Sequence, residues 1–284
     1  MGRVDGARCP IPTPAWLSFR TDARYKAGVG DIKDNSEFWA AYDWAEGGTE
    51  WSQAWGATRL LFHGSLYPRI AAFVPTGHLL EIAPGFGRIT EFLLPLCDRY
   101  SGVDLTEKCV ANCRQRYAAE SKATFWQNDG ASLDMIEDSS VDFAFTWDSL
   151  VHADDGALRA YFGELSKKLK PGAFAFMHHS NLGDVLDPAE IPTYRDLHGR
   201  DSGMSATKAR GFADEAGLHC HSQELMNWGE HILKDCITVV SRPTADSVAP
   251  SPQITEHNRF IDETGNLLRV HSIYGGHDPD RGHR

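Results

Sequence analysis

The octapeptide Glu81-Ile82-Ala83-Pro84-Gly85-Phe86-Gly87-Arg88 sets two glycines one residue apart directly after an apolar run. Glycine lets a chain turn tightly and approach a ligand with no Cβ in the way, and a helix starting just beyond offers unpaired N–H groups to an anion. Asp104 follows about 20 residues on, where a carboxylate can accept from both hydroxyls of a ribose. Asn128-Asp129-Gly130 adds polar groups able to read an adenine edge, or else forms a surface turn. Glu81 sits inside an apolar stretch, where an unpaired carboxylate is costly, so it must find partners at the site. Thr90 stands where a dinucleotide fingerprint wants its third glycine or alanine, which counts against a nicotinamide cofactor.

A second set of residues could move protons. Asp148 and His152 are four apart, a spacing that puts both on one face if a helical turn follows Trp147. His178, His179 and Asn181 follow a later apolar run. Successive strand residues face opposite ways, so His178 and His179 cannot both enter one pocket, and one of them is structural.

These residues are useful only if the elements between them bring them to one edge. Short apolar runs at 79–83, 100–103, 124–127, 141–147 and 173–177 read as strands, separated by helical stretches at 89–96, 107–120 and 156–169. Near-continuous apolar strands alternating with helices imply a parallel sheet covered on both faces. A helix at 207–216 and two further strands, 220–225 and 236–241, complete a Rossmann-like, doubly wound, mostly parallel α/β sheet of seven strands. In such sheets ligands bind beyond the carboxyl ends of the strands, where all the residues above stand. Ahead of the sheet lie an irregular arm and an aromatic-rich helical cap, 1–73, in which Tyr42, Trp44, Trp51 and Trp55 either pack on the sheet or close as a lid over a ligand. The core spans 74–243 with an inserted loop at 183–204. The extension 244–284 holds a short helix at 256–268 and could cover its own domain or a neighbouring subunit in a homo-oligomer.

The combination resembles the class I S-adenosylmethionine (SAM)-dependent methyltransferases, whose first motif looks like Glu-Ile-Ala-Pro-Gly-Phe-Gly here, with acidic residues after the second and third strands. Tyr42-Asp43-Trp44, Glu50-Trp51-Ser52, Trp147-Asp148-Ser149-Leu150-Val151-His152, His178-His179-Ser180-Asn181 and Gln223-Glu224 to Asn227-Trp228-Gly229 further resemble a bacterial subgroup assigned to sugar or polysaccharide O-methylation. The resemblance implies that Gly85 and Gly87 line the methionine part of SAM, Asp104 the ribose, and Asp129 with Gly130 the adenine. Glu81 belongs to the same cofactor site. Pro84 replaces a glycine common in the wider superfamily and stiffens the turn.

Methyl transfer to a hydroxyl is a displacement that needs acceptor oxygen, methyl carbon and sulfur in line, and a base for the leaving proton. His152 is one candidate base, with Asp148 orienting it or facing the acceptor. The rival arrangement puts a divalent cation such as Mg2+ among Asp148, one of His178 and His179, and neighbouring carboxylates, where it would acidify the acceptor. Glu224, Trp228 and Asn181, with Tyr42, Trp44 and Trp51 from the cap, are the candidate acceptor wall, since sugars offer both hydroxyls and an apolar ring face. The acceptor is thus a carbohydrate or glycosylated small molecule. The alternatives are a phenol, carboxylate or amine acceptor, or a non-catalytic SAM-binding module.

Bulk properties fit. At 284 residues, 42% hydrophobic and 24% charged, the chain is globular in composition. Its net charge of −11 offers no broad electropositive footprint for nucleic acid. The six cysteines form no CxxC pair, so no zinc knuckle or thioredoxin-like motif is expected, and Cys109 and Cys113 read as packed thiols. No 18-residue apolar run predicts a membrane span. The first residues lack a signal-peptide core, and Gly6 stands where myristoylation wants Ser or Thr, so a cytoplasmic location is expected.

Overall fold

The computed structural model describes residues 31–187, 189, 199–228 and 231–275. The arm before residue 31, much of the inserted loop 183–204, Gly229 and the tail after 275 lie outside the described residues.

Eight strands form one sheet: β1 Thr76–Ile82, β2 Cys97–Asp104, β3 Ala123–Gln127, β4 Val141–Thr146, β5 Leu169–Ser180, β6 His219–Met226, β7 Asp235–Ser241 and β8 Gln253–His257. Their order is β3-β2-β1-β4-β5-β7-β6-β8. Only β7 runs antiparallel to its neighbours. The doubly wound class is as expected. The strand count is eight instead of seven: residues 253–257 are strand where a loop running into a helix at 256 was expected, and the helical segment of the extension is instead the turn Ile261–Thr264 followed by the helix Gly265–Gly275. Gln253-Ile254-Thr255-Glu256-His257 carries one apolar residue and is mostly exposed, so hydrophobic pattern gives no strand signal there. Backbone pairing to β6 holds it instead.

Four of the helices begin where side chains satisfy free N–H groups. Asp31 caps Ile32–Ala41, Thr106 caps Glu107–Arg116, Asp154 caps Asp155–Lys168 and Ser205 caps Ala206–Glu215. Strands β1 and β4 are buried along nearly their whole length. Two apolar clusters result, one containing Leu80, Ala144, Phe162 and Val240, the other Leu79, Phe143, Phe145 and Phe176. Neighbouring residues of one strand supply opposite clusters, as alternation requires.

The extension folds back on its own domain. Phe260 is fully buried, 5.8 Å from the Trp55 ring and 5.9 Å from that of Trp228. A Cβ on Gly64 would lie 2.5 Å from Thr264 Cγ2, so only glycine lets the two segments meet so closely. Chain order reverses between β1 and β4, which opens a crevice at their carboxyl ends.

Candidate active site

That crevice holds a cavity lined by Glu81, Ala83, Gly85, Arg88, Asp104, Thr106, Gly130, Asp148, Ser149 and Tyr161, and closed from the cap by Ile32, Asn35, Trp39, Trp44 and Trp51. The glycine turn and Asp104 do converge. Asp104 Oδ2 accepts from the Gly85 amide at 3.0 Å, and Oδ1 accepts from the Thr106 amide at 3.0 Å and the Thr106 hydroxyl at 3.2 Å. A carboxylate has about four acceptor positions, so Oδ2 keeps capacity toward the cavity. Burial raises the Asp104 pKa in spite of these donors.

Glu81 is also buried at the cavity and accepts from Thr90 Oγ1 at 2.7 Å and from the Tyr100 hydroxyl. Burial pushes its carboxyl up to about 7 against those hydrogen bonds and the pull of Arg88. Thr90, in the place of a third fingerprint glycine, thus serves Glu81. Two buried carboxyls in one cavity favour a cationic ligand rich in donors and oppose a pyrophosphate.

Gly85 has φ +58°, and a Cβ there would lie 3.0 Å from Trp44 Cη2. Trp44 stacks on Phe86 with ring centroids 4.5 Å apart, which seats the cap on the glycine turn. Gly87 is needed for a different contact: its φ is +81°, a Cβ would meet Tyr117 Cε2 at 2.7 Å, and the Tyr117 hydroxyl donates to its carbonyl at 2.7 Å. It faces that ring and is absent from the cavity lining. Gly130 at φ +87° lets Ile32 and Leu105 close over the turn after β3. Asp129 points into a neighbouring open depression, where its Oδ1 accepts from the Ala131 and Ser132 amides at 3.0 and 2.7 Å, and those amides lower its pKa.

At the β4 end, Asp148 lines the cavity and pairs with Arg88 at 3.0 Å. Arg88 also donates to Ser52 Oγ at 2.8 Å and lies 5.7 Å over the Trp51 ring. Sequence reasoning missed Arg88, although its place directly after Gly87 was a signal. Ala83 at φ +57° and Asp148 at φ +55° are non-glycine residues in the left-handed region, both at the cavity. Such backbone costs roughly 1–3 kcal/mol and clusters at functional sites. Ser149 Oγ donates to the Ala83 carbonyl at 2.8 Å and ties the two strand ends together.

The histidines are placed elsewhere. His152 is buried outside the cavity lining, with Nδ1 donating to the Gly199 carbonyl at 2.8 Å and its ring 5.1 Å from Trp39. His179 engages the Ser180 carbonyl and Thr238 Oγ1, each at 2.8 Å. His178 is fully buried behind Trp147, on the opposite face of β5 from His179. Burial pushes the His152 and His179 pKa values down to about 4. An unfolded histidine protonates near 6.5, so the folded state binds fewer protons between pH 6.5 and 4. The stability that His179 contributes is complete above 6.5 and is lost as pH falls toward 4. Wild type is therefore expected to lose roughly 1–2 kcal/mol more than His179→Gln between pH 6.5 and pH 5, measured by urea unfolding; equal losses would contradict this.

The candidate acceptor wall divides. Trp44 and Trp51 line the cavity. Tyr42 lies outside the lining, its hydroxyl donating to Glu50 at 3.0 Å. Asn181 is buried and joins the Leu233 carbonyl to the Ala206 amide, each at 2.8 Å. Trp228 packs against His178 and Phe260. Glu224 binds Arg69 at 2.6 Å, and Arg69 also holds Glu263 at 2.7 Å. Among the described residues, Glu224, His257 and Glu263 are the one group with metal-ligand spacing. The Arg69 guanidinium already bridges its two carboxylates. No such group surrounds Asp148 among the described residues.

Comparisons with known proteins agree with this geometry. Residues 79–172 match the family model of a methyltransferase domain. The ribosomal RNA small subunit methyltransferase A of Coxiella burnetii is 36% identical over 59 residues, 21% of this chain and 23% of that protein. The chain thus spans about a quarter of the length of such curated relatives. A solved protein of Pyrococcus horikoshii OT3 superposes with TM-score 0.52 at 21% identity, covering 66% of this chain and 91% of that one. The geranyl diphosphate C-methyltransferase of Streptomyces coelicolor A3(2) superposes with TM-score 0.55 at 12% identity, covering 74% and 98%. At these identities the structures speak to the fold, a Rossmann-like methyltransferase fold. SAM is the cofactor of such a domain, and the two buried carboxyls and the open glycine turn suit its sulfonium, ammonium and ribose.

Proposed function

We propose that this chain, whose residues 79–172 are a SAM-dependent methyltransferase domain, transfers a methyl group to a hydroxyl of a sugar, free, in an oligosaccharide or on a glycosylated small molecule. The observation that carries the reading is the bond between Asp104 and the Gly85 amide in the lining of a cavity that Asp148 also lines. Gly85, Asp104, Glu81 and Gly130 hold SAM, which when bound supplies an electrophilic methyl. Asp148, kept in place by Arg88, faces the acceptor hydroxyl and accepts its proton. Trp39, Trp44 and Trp51 present apolar faces to the sugar ring and exclude water, which strengthens the electrostatics at the reacting atoms. Positioning supplies much of the acceleration. The aromatic lining also favours a second reading, a flat phenolic acceptor. The net charge of −11 speaks against nucleic acid as acceptor.

Incubation with SAM and panels of methyl glycosides, phenols, carboxylates, amines and ribosomal RNA tests this. S-adenosylhomocysteine (SAH) accumulates with a glycoside. Turnover with another class alone would overturn the sugar acceptor, and none with any class would favour a SAM-binding module.

Glu81 adds a pH signature. A cation beside it favours its ionised form, so SAM binding releases a proton from a carboxyl that titrates at about 7 in the free protein. SAM affinity therefore rises with pH up to about 7 and levels off above it. Calorimetry at several pH values reads this, and the slope disappears in Glu81→Gln.

A further inference from the structure

We propose that His178 is a positioning residue, holding Asp148 in its left-handed backbone conformation, with Trp147 and Trp228 holding the His178 ring in turn; this rests on the reading of Asp148 as the residue that faces the acceptor. The Asp148 amide donates to His178 Nδ1 at 2.9 Å, so Nδ1 presents a lone pair and the ring proton is on Nε2. Nε2 lies 3.4 Å from Asp235 Oδ2 without the geometry of a hydrogen bond, so the carboxylate acts on the ring only through its charge. Asp235 is fully buried and is gripped by Arg200 through two 2.6 Å hydrogen bonds. Trp147 stacks on one side of the His178 ring at 4.3 Å, and Trp228 lies parallel at 5.8 Å. The ring can neither rotate nor reach the cavity, so it cannot serve as the base.

What it can do is fix a backbone. A left-handed aspartate is unfavourable by about 1 kcal/mol or more, and the amide bond to a clamped ring offsets that. Arg88 holds the same residue by its side chain. Asp148 is thus fixed at both ends, and its carboxylate stays at the cavity with nothing left to rearrange when an acceptor arrives. Without the imidazole acceptor, the Asp148 backbone relaxes and its carboxylate moves. A displacement of about 1 Å at a reacting group can cost about 100-fold in rate.

The test uses the intact chain. His178→Phe keeps a stacked ring and removes the acceptor, whereas His178→Asn places an oxygen near the position of Nδ1. With SAM and the methyl glycoside that gives most SAH, kcat is expected to fall about 10–100-fold in His178→Phe. SAH affinity by calorimetry should stay within about twofold, because its cradle lies at β1 and β2, and His178→Asn should recover most of kcat. Amide exchange followed by NMR should show the Asp148 N–H exchanging faster in the Phe variant and protected again in the Asn variant. Unchanged kcat in His178→Phe, equal loss in both variants, or a parallel loss of SAH affinity would overturn the proposal. If the wild type methylates no glycoside, the sugar reading fails, and Asp148 exchange still decides the positioning role. Nitrogen-15 NMR of the wild-type ring needs no variant at all: a proton on Nδ1 overturns the proposal.

Discussion

Asp104→Ala is expected to leave a folded protein whose affinity for SAM is weaker by about 2–3 kcal/mol, a factor of about 30–150, since hydrogen bonds to a charged group are worth about 1.5–3 kcal/mol. The carboxylate has two tasks that fail together. In the proposed reading its remaining acceptor capacity goes to the ribose, and it holds the Gly85 amide and both donors of Thr106, which set the turn and the start of helix Glu107–Arg116. Asp104→Asn keeps the size and one acceptor oxygen and should fall between the two. Calorimetric titration with SAH and thermal melts separates lost binding from lost fold. Binding within threefold of wild type would show that the cofactor is held elsewhere.

The second large effect concerns stability. Removing either partner of the Arg200 and Asp235 pair leaves a buried charge without its opposite charge, because Arg200 is 3% exposed and Asp235 is fully buried. Burial raises the Asp235 pKa, but the Arg200 guanidinium outweighs it and holds the carboxyl well below the usual range. The carboxylate is therefore ionised throughout the working pH range. Arg200→Met or Asp235→Asn should each cost about 3–5 kcal/mol and lower Tm by about 10 °C for a chain of this size. The double variant Arg200→Met with Asp235→Leu should recover more than half of that, because apolar side chains of similar volume often replace a buried pair at little net cost. A single variant with unchanged Tm would contradict this account of the pair.

The meeting of the glycine turn with Asp104 was legible in sequence because its logic is local. A strand, a glycine turn and a carboxylate ending the next parallel strand occupy predictable places relative to one another once the sheet is doubly wound, and Gly85 and Asp104 meet accordingly. The acceptor end was less legible. A histidine after a strand reveals where its Cα lies, but its ring is claimed by groups arriving from distant segments: the Gly199 carbonyl for His152, Thr238 for His179, the Asp148 amide for His178. The cap aromatics were readable as either core or lid, since both uses need the same residues. Trp44 and Trp51 reach the cavity, whereas Tyr42 turns to Glu50. Glu224 looked like a polar wall residue until Arg69, 155 positions away, occupied it. Strand β8 left no hydrophobic signature, because backbone pairing alone explains it.

The cradle of Gly85 and Asp104 is tested most directly by titrating the intact protein with SAM in a calorimeter. The account predicts saturable binding at one site per chain, displaced by SAH and indifferent to NADH. No heat of binding, or binding of NADH at the same site, would contradict it.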